Sequence, residues 1–329
     1  MTTTRTALVV GATGGVGGAI ADRLLADGWL VRAINRDPET AAKRSGRTGL
    51  EWVKGDAMVE ADVVAAAAGA EIVVHGANPP GYNNWAGLQL PMLNSTIAAA
   101  RAAGARILFP GTVYNYGPDA FPRIDERSAQ NPRSRKGAIR VRMEQALREA
   151  GVPVLILRCG DFFGPKPGNN WLSQGIVPVG RPITSVTYPG PLEIPHTWAY
   201  LPDVAQTFVR LLATDLGAFE VFQMHGHEVT GHQLVAGLEA AAGRKLKVGR
   251  LPWPALALVA PFNETLREMR EMRYLWDEPV LLDDARLVRQ LGAEPRTPLV
   301  EALRIALQGQ GALPSLNGKR NRLALESNC

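Results

Sequence analysis

The chain has 329 residues, of which 46% are hydrophobic and 20% charged, and its formal net charge at pH 7 is +5. This composition is ordinary for a soluble globular protein with a sizeable core, and no stretch of the chain is of low complexity. The two cysteines, Cys159 and Cys329, make no disulfide framework, which favours a cytoplasmic location.

Two kinds of partner are disfavoured by the pattern of charge and hydropathy. The longest apolar stretch near the C-terminus, Leu251 to Phe262, contains prolines and is too short to span a bilayer. The densest basic stretch, Arg133 to Arg142, contains no aromatic residue, whereas single-stranded nucleic-acid sites combine basic with aromatic side chains. We therefore expect a small-molecule substrate, no membrane and no nucleic acid; a homodimer stays possible.

The first half of the chain alternates short apolar segments with longer helical patterns. The predicted strands are Ala7–Val10, Leu30–Ile34, Leu50–Lys54, Glu71–His75, Arg106–Phe109 and Val154–Arg158. The predicted helices between them lie near Gly15–Asp27, Pro38–Arg44, Glu60–Ala68, Gly87–Ala103 and Ala138–Ala150. Strands separated in this way predict an α/β fold of the Rossmann type, a doubly wound parallel sheet with helices on both faces. Ligands of such sheets bind beyond the C-terminal ends of the strands.

After Cys159 the pattern changes. An irregular loop is predicted near residues 164–170, a helix over Leu201–Ala213 and a further strand over Ala218–Gln223. We predict a nucleotide-binding domain of residues 1–160 and about 186–224. A smaller, mainly C-terminal substrate lobe would comprise about 161–185 and 225–310, and residues 311–329 would form a disordered tail.

The glycine-rich turn after the first predicted strand is the most specific local signal. Gly11 permits a tight turn, Gly14 lets the backbone approach a phosphate, and Gly17 lets the following helix pack closely on the strand. The free amides and the positive end of the helix dipole attract the pyrophosphate of a dinucleotide. The cofactor-binding residues predicted in this turn are Gly11, Thr13, Gly14, Gly15, Val16 and Gly17.

The residues that follow the later strands extend this pattern. In chain order they are Gly55-Asp56-Ala57, His75-Gly76-Ala77, Thr112 to Gly117 with Tyr116, Arg158 to Pro165, and Tyr200 to Asp203 before a late helix. Their order and spacing resemble the short-chain dehydrogenase/reductase superfamily, most closely its extended branch of nucleotide-sugar epimerases and dehydratases, to about residue 308. The resemblance implies that Asp56 and Ala57 lie at the adenine and that His75, Gly76, Ala77 and Arg158 lie beside the cofactor. It also implies a closing strand at Leu291–Pro295 and a closing helix at Leu299–Leu307.

One departure from the family concerns proton transfer. The family's acid/base pair is Tyr-x-x-x-Lys on the helix after the fifth strand, and Lys136 and Arg140 occupy those places here. No tyrosine occurs between Tyr116 and Tyr188, so the family's proton donor has no counterpart on this helix.

Four residues are therefore candidates for the chemistry. We expect Lys136 to replace the donor, with a pKa lowered by burial and by Arg140, and Arg140 to hold the nicotinamide ribose. Tyr116 is the rival donor, Tyr114 ranks below it, and Thr112 would orient the substrate oxygen. The alternatives are a solvated helix face for the two basic residues, a turn cap for Thr112 and a packing role for Tyr116.

The end of the second strand bears on the choice of cofactor. Proteins that select NAD usually place a carboxylate there, bonded to both ribose hydroxyls. Asn35 holds that place and Arg36 follows it, and a guanidinium can bind the 2′-phosphate of NADP. Asp37, with Pro38 behind it, is more typical of a helix start. We therefore favour NADP(H) over NAD(H), with a solvated Arg36 as the alternative.

Side chains in the second half add few functional signals. Trp171, Arg181 and Tyr188 fall in the stretch where the family builds its substrate pocket. His196, His225 and His227 lack the cysteines or carboxylates that would complete a metal site, so no metal is expected.

Two functions stay open on the sequence alone. The first is an NAD(P)-dependent oxidoreductase or epimerase/dehydratase-like enzyme, acting on a carbonyl or hydroxyl of a small molecule such as a nucleotide sugar, with an altered proton donor. The second is a non-catalytic NAD(P)-binding redox sensor or regulatory protein. The large substrate lobe favours the enzyme, and the loss of both members of the acid/base pair favours the sensor.

Overall fold

The computed structural model describes residues 5–79, 84–166, 168, 170–260 and 263–314. Residues 315–329 of the predicted tail, with Cys329, lie outside the described residues. None of the helices in the described part of the chain is long and apolar enough to cross a membrane.

A parallel sheet of seven strands lies at the centre of the protein. The strands of the described residues are β1 (Thr6–Val10), β2 (Leu30–Asn35), β3 (Leu50–Lys54), β4 (Ile72–His75), β5 (Arg106–Thr112), β6 (Arg123–Ile124), β7 (Val154–Cys159), β8 (Asp161–Phe163), β9 (Ser185–Tyr188), β10 (Pro195–Tyr200), β11 (Phe219–Gln223), β12 (His227–Thr230), β13 (Lys247–Arg250) and β14 (Leu281–Leu282). The central sheet has the order β11-β7-β5-β4-β1-β2-β3. Strand addition reverses direction between β1 and β4, so the C-terminal ends of these two strands border a crevice.

Helices cover both faces of this sheet. They are α1 (Gly15–Ala26), α2 (Pro38–Ser45), α3 (Glu60–Ala66), α4 (Trp85–Ala103), α5 (Arg135–Glu149), α6 (Leu201–Leu212), α7 (Gly231–Ala242), α8 (Trp253–Val259), α9 (Glu264–Glu271), α10 (Tyr274–Asp277), α11 (Ala285–Leu291) and α12 (Leu299–Gly309). On one face α1 and α6 bury Ile20, Leu24 and Phe208 against the strands. On the other face α3, α4 and α5 bury apolar side chains that include Leu93 and Met143.

The predicted α/β class with a Rossmann-type sheet is confirmed. Each predicted strand and helix of the first half is present, with its ends within three residues of the prediction. The largest shift at the start of a helix is at α5, which begins at Arg135 because Ser134 caps it: Ser134 Oγ accepts a hydrogen bond from Gly137 N at 3.1 Å.

A second hydrophobic core lies beside the sheet. Here β8, β10 and β12 form a three-stranded sheet, β9 pairs with β13, and α7 packs against α12. The predicted domain boundaries stay a prediction, but Val186, Tyr188, Trp198 and Tyr200, which they assign to the nucleotide-binding domain, pack into this second core. The next helix, α6, is the element that returns the chain to the central sheet.

The implied closing strand at Leu291–Pro295 is wrong. Leu291 is the last residue of α11, and Gly292, with a φ of +78°, ends that helix. Residues 293–298 then form the connection to α12, which confirms the implied closing helix.

Candidate functional site

Glycines hold the loop after β1 close against the sheet. Gly11 has a φ of +96°, and a β-carbon there would lie 2.5 Å from the backbone carbonyl of Gly76. A β-carbon at Gly17 would lie 2.5 Å from the carbonyl oxygen of Gly11. Side chains at either position would force the backbones apart. The loop after β1, the first turn of α1 and the loop after β4 therefore meet backbone to backbone.

The N-terminus of α1 opens onto the crevice between β1 and β4. Its N-cap is Gly14, no side chain caps it, and its first turn contains no acidic residue. The hydrogen bonds of the helix begin where Gly18 N donates to the Gly14 carbonyl at 3.1 Å. The amides of Gly15, Val16 and Gly17 come before this first bond. Amides at a helix N-terminus, together with the helix dipole, bind phosphate groups. The loop thus fits the pyrophosphate of a dinucleotide.

A cleft of about 370 Å³ lies over this loop. The predicted site residues that line it are Gly11, Thr13, Gly14, Gly15, Val16, His75, Gly76, Ala77, Thr112 and Arg140. Residues outside that prediction line it too, among them Trp85, Asp161, Leu201 and the low-ranked Tyr114. The cleft therefore extends from the pyrophosphate loop to the ends of β5 and β7.

A second cavity, of about 620 Å³, lies at the end of β2 and shares Thr13 with the cleft. The predicted Asn35 and Arg36 line it, and so do four charged residues that were not predicted to bind: Arg44, Arg47, Lys166 and Asp37. Arg47 is paired with Asp22. Arg36, Arg44 and Lys166 leave the cavity positively charged where the adenosine end of a dinucleotide would extend from the pyrophosphate loop.

Asp37 is the N-cap of α2 and contributes one negative charge to this cavity, against the three positive charges of Arg36, Arg44 and Lys166. Its carboxylate accepts a hydrogen bond from Thr40 N at 3.0 Å, with Pro38 in the first turn, as predicted. Hydrogen bonds with Thr40, first through its side chain and then through its backbone, hold the pKa of Asp37 below its usual value. Asn35 Oδ1 accepts from Asp37 N at 2.9 Å, which leaves the Asn35 amide group as a donor.

His75 forms an uncharged part of the cleft wall. Its Nδ1 donates to Thr96 Oγ1 at 2.8 Å, because Thr96 Oγ1 itself donates to the Met92 carbonyl at 3.1 Å. Its ring stacks on Phe109 with 5.9 Å between centroids. Burial, and then the charge of Arg140, lower the pKa of His75 to about 3. At neutral pH His75 therefore supplies no proton.

The loop after β5 brings two hydroxyl groups to the cleft. Thr112 Oγ1 accepts from Tyr114 N at 3.3 Å, so Thr112 caps the 3₁₀ turn Val113–Asn115, while it also lines the cleft. Tyr114 lies between the cleft and a smaller cavity. Tyr114 Oη donates to Asp161 Oδ1 at 3.2 Å, and Asp161 Oδ2 lies 2.7 Å from His196 Nε2. A phenol, a carboxylate and an imidazole thus form a connected row that begins in the cleft.

Lys136 does not belong to a solvated helix face. It is 2% exposed and lines the smaller cavity together with Tyr114. Its Nζ lies 3.9 Å from Glu268 Oε2 and 5.5 Å from the centre of the Trp85 ring. A carboxylate and an aromatic ring thus lie close to this amino group. The lowered pKa and the donor role expected for Lys136 stay predictions.

Arg140 lies one helical turn after Lys136 and faces the cleft itself. Its Nη1 donates to the Pro110 carbonyl at 3.4 Å, and its guanidinium lies 5.2 Å from the centre of the Phe109 ring. A role in holding the nicotinamide ribose stays a prediction.

Two predicted site residues lie in the core and not in the cleft. Tyr116 is fully buried, and its hydroxyl accepts from Arg158 Nη1 at 2.7 Å and from Gln223 Nε2 at 2.9 Å. Arg158 in turn pairs with the buried Glu144 at 2.6 Å. Burial raises the pKa of Tyr116 to about 12. The assignments of Tyr116 as proton donor and of Arg158 as cofactor ligand are wrong, because both residues use their polar groups in this buried network.

Asp56 and Ala57 line neither cavity. They follow β3 beside Asn35, whose carbonyl accepts from Gly55 N at 3.1 Å. The Asp56 carboxylate accepts from Met58 N at 3.0 Å. Their contact with an adenine stays a prediction.

Asp161 lies within the sequence motif Arg158 to Pro165, but no role in the site was predicted for it. It follows β7 at the C-terminal edge of the sheet, where the rule for parallel sheets directs attention. That rule could have identified Asp161 from the sequence. Its partner His196 lies on β10, and no short sequence spacing connects Asp161 with His196. Among the described residues, no group of three or more His, Cys, Asp or Glu side chains is placed to hold a metal ion.

The fold and the glycine loop together define a dinucleotide-binding α/β protein. The family model described as the NAD dependent epimerase/dehydratase family matches residues 7–223, and the chain belongs to that family. The protein is therefore a member of a family of NAD-dependent enzymes, and a nicotinamide adenine dinucleotide is its class of cofactor. The resemblance to the extended dehydrogenase/reductase branch is confirmed. No protein of curated function matches the sequence significantly.

Solved structures share the fold at low sequence identity. UDP-glucose 4-epimerase from Bifidobacterium longum, in complex with NAD⁺ and UDP, is 17% identical with a TM-score of 0.71, over 94% of this chain and 100% of that one. The Bordetella bronchiseptica enzyme WbmH, in complex with NAD⁺, is 19% identical with a TM-score of 0.67, over 93% and 98%. The UDP-Glc/GlcNAc 4-epimerase from Campylobacter jejuni is 14% identical with a TM-score of 0.69, over 94% and 100%.

Proposed function

We propose that the protein is an NAD(P)-dependent oxidoreductase or epimerase that acts on a hydroxyl or carbonyl carbon of a small molecule, and that Tyr114 carries the proton. The proposal is supported by the cleft, because Tyr114, Thr112 and Arg140 line the same cleft as the glycine loop. A nicotinamide bound there would accept or return the hydride. The protein's own groups would orient the substrate oxygen and move its proton.

Tyr114 fits the role of proton carrier better than Lys136. The phenol reaches the cleft, whereas the Lys136 ammonium is stabilised by Glu268. Lys136 and Tyr114 line the same small cavity, so the lysine charge favours the phenolate, which is what the family's lysine does for its tyrosine. Lys136 as the donor itself is kept as the rival hypothesis.

For the cofactor we propose NADP(H), with NAD(H) as the alternative. The Bifidobacterium and Bordetella structures hold NAD⁺. In this chain, however, Arg36, Arg44 and Lys166 line the cavity at the end of β2, where Asn35 stands in the usual place of a carboxylate. This charge supports binding of an additional phosphate on the adenosine ribose.

For the substrate we propose a nucleotide sugar, because two of the similar structures are epimerases of UDP sugars. The missing Tyr-x-x-x-Lys pair favours a redox sensor without turnover, but the hydrogen bond from Tyr114 to Asp161 offers a proton pathway that such a sensor does not need.

Single-turnover hydride transfer tests the proposal, with UDP-glucose and UDP-N-acetylglucosamine as the first substrates and nicotinamide absorbance as the signal. We expect Tyr114→Phe to slow the step by about two powers of ten or more, the usual contribution of an acid/base group. Tyr116→Phe is the matched control and should keep the rate. An unchanged rate in Tyr114→Phe, with a loss in Lys136→Met alone, would transfer the role to Lys136.

A further inference from the structure

We infer that Asp161 is the proton acceptor behind Tyr114 and that His196 is its positioning residue, so that the substrate proton passes into a buried carboxylate. This inference rests on the proposed function. It concerns two residues that lie in different strands, β8 and β10, of the small sheet beside the cleft.

The row of groups has one end in the cleft and the other in the core. Tyr114 Oη donates to Asp161 Oδ1 at 3.2 Å, and the other carboxylate oxygen lies 2.7 Å from His196 Nε2. Asp161 is 7% and His196 2% exposed. Gly160 makes this approach possible, since a β-carbon there would collide with the Thr197 carbonyl.

Aromatic rings fix the orientation of His196. The imidazole stacks on Trp276 with 4.1 Å between centroids and an interplanar angle of 9°, and it meets Trp198 edge-on at 5.5 Å. Its Nδ1 is buried and has no hydrogen-bond partner among the described residues. A proton on Nδ1 would therefore be buried without an acceptor, so the neutral tautomer with its proton on Nε2 fits the site. That proton is donated to Asp161.

A buried carboxylate needs such compensation. Removal of a carboxylate from water is costly unless hydrogen bonds or opposite charge replace the water. His196 supplies one donor and Tyr114 the other. The one carboxylate oxygen that His196 does not use is thus aimed at the tyrosine that lines the cleft.

Both the proton and the electrons balance in the oxidation of an alcohol. The hydroxyl proton moves to Tyr114 Oη while the phenol proton moves to Asp161 Oδ1. The carbon that carries this hydroxyl gives its hydride to an oxidised nicotinamide dinucleotide, and the C–O bond becomes a carbonyl. Asp161 ends as a neutral carboxylic acid, and reduction runs the same steps in reverse.

The charged groups that face this region come from several elements. Lys136 and Arg140 lie on α5, Glu268 lies on α9, and Asp161 begins β8. The two cations favour the phenolate and Asp161 disfavours it, because like charges at short range oppose each other. Asp161 therefore raises the pH at which Tyr114 releases its proton.

Ultraviolet titration of tyrosinate tests this without cofactor or substrate. The difference between the parent protein and Tyr114→Phe isolates the ionisation of Tyr114. In Asp161→Asn we expect this ionisation to move down by about one pH unit or more, as expected when a like charge in contact is removed. The exposed His232, which contacts Glu193 at 3.4 Å, provides the control His232→Gln, with no shift.

Kinetics provide the second readout. We expect Asp161→Asn and His196→Leu to lower kcat at least about tenfold with KM unchanged, and His196→Gln to restore kcat, since a glutamine amide also donates from the Nε2 position. If Asp161→Asn fails to fold, the contrast between His196→Gln and His196→Leu carries the test. An unchanged tyrosinate titration and an unchanged kcat in these variants would overturn the inference, while the proposed function stands. Full activity of Tyr114→Phe would instead refute the proposed function.

Discussion

Arg36 stands exposed at the end of β2, and its guanidinium makes no hydrogen bond or ion pair with the described residues. If it binds the 2′-phosphate of NADP(H), Arg36→Ala should weaken that cofactor by about 1.5–3 kcal/mol, the value of a hydrogen bond to a charged group. NAD(H), which lacks the phosphate, should bind as before. Calorimetric titration with both cofactors measures the effect, and Arg244→Ala on the far lobe is the control. Equal losses for the two cofactors, or no loss for either, would count against the NADP(H) preference.

His75 makes the stability of the protein depend on pH in a predictable direction. Its pKa falls from 6.5 to about 3 on burial, so below pH 6.5 the unfolded chain binds a proton that the folded chain does not. The free energy of unfolding should therefore decrease as the pH falls from 6.5 toward 3, by up to about 1.4 kcal/mol per pH unit from this residue.

His75→Asn isolates that contribution. An asparagine amide can replace Nδ1 as donor to Thr96 but does not titrate. Denaturant unfolding at a series of pH values should show a shallower acid slope in this variant, and the exposed His232→Asn should keep the parent slope. Parallel slopes in the parent and His75→Asn would contradict the neutral state of His75.

At the scale of single residues, the sequence predicts what backbone geometry demands and misses what depends on packing. Gly11 and Gly17 are recognisable because no other residue fits where the backbones meet. Tyr114 and Tyr116 are two residues apart in one turn, and only the folded chain shows that the first faces the cleft and the second the core. The burial of Arg158 likewise depends on Glu144, which a different element supplies.

Helix α5 can pack closely against the loop that carries Tyr114 because Gly137 has no side chain. A β-carbon there would collide with the Tyr114 carbonyl oxygen. We expect Gly137→Ala to lower the free energy of unfolding by about 1–3 kcal/mol, as overpacking does, and to slow hydride transfer because Tyr114 moves. Gly249→Ala is the control, since its β-carbon would meet only the Val186 carbonyl oxygen at 3.7 Å. Denaturant unfolding with parent stability in Gly137→Ala would refute this contact.

The elements of the first half could be predicted from sequence because apolar strands and amphipathic helices alternate there with different periods. The short strands β6, β9, β13 and β14 could not. β9 pairs with β13 through Val186 and Val248, and β6 pairs with β14 through Ile124 and Leu282. Such strands of two to four residues depend on distant partners and leave no periodic pattern of their own.

For the molecule as a whole, ion pairs connect α9 of the second lobe to the start of α5. Arg135 Nη2 lies 2.7 Å from Glu271 Oε1, and Lys136 lies near Glu268. Burial acts to raise the pKa of Glu271, but the hydrogen bonds and the charge of Arg135, with the charge of Arg267, outweigh it and hold that pKa below its usual value. These contacts fix α9, which lies in the predicted substrate lobe, beside the start of α5. The substrate-binding role of that lobe stays a prediction. The cytoplasmic location and the homodimer stay predictions.

The binding of a nicotinamide dinucleotide over the glycine loop is the claim on which the function depends, and Gly14→Val tests it most directly. Gly14 has a φ of −79°, which any residue adopts, and a β-carbon there would lie 3.3 Å from the Gly11 carbonyl oxygen, a tight contact that a shift of a few tenths of an ångström would relieve. The variant should therefore fold, while its side chain fills the space that the pyrophosphate needs. Calorimetric titration with NADP(H) and NAD(H), after thermal unfolding has confirmed the fold, should show binding to the parent and none to Gly14→Val. Parent affinity in a well-folded Gly14→Val would contradict the placement of the cofactor in this cleft.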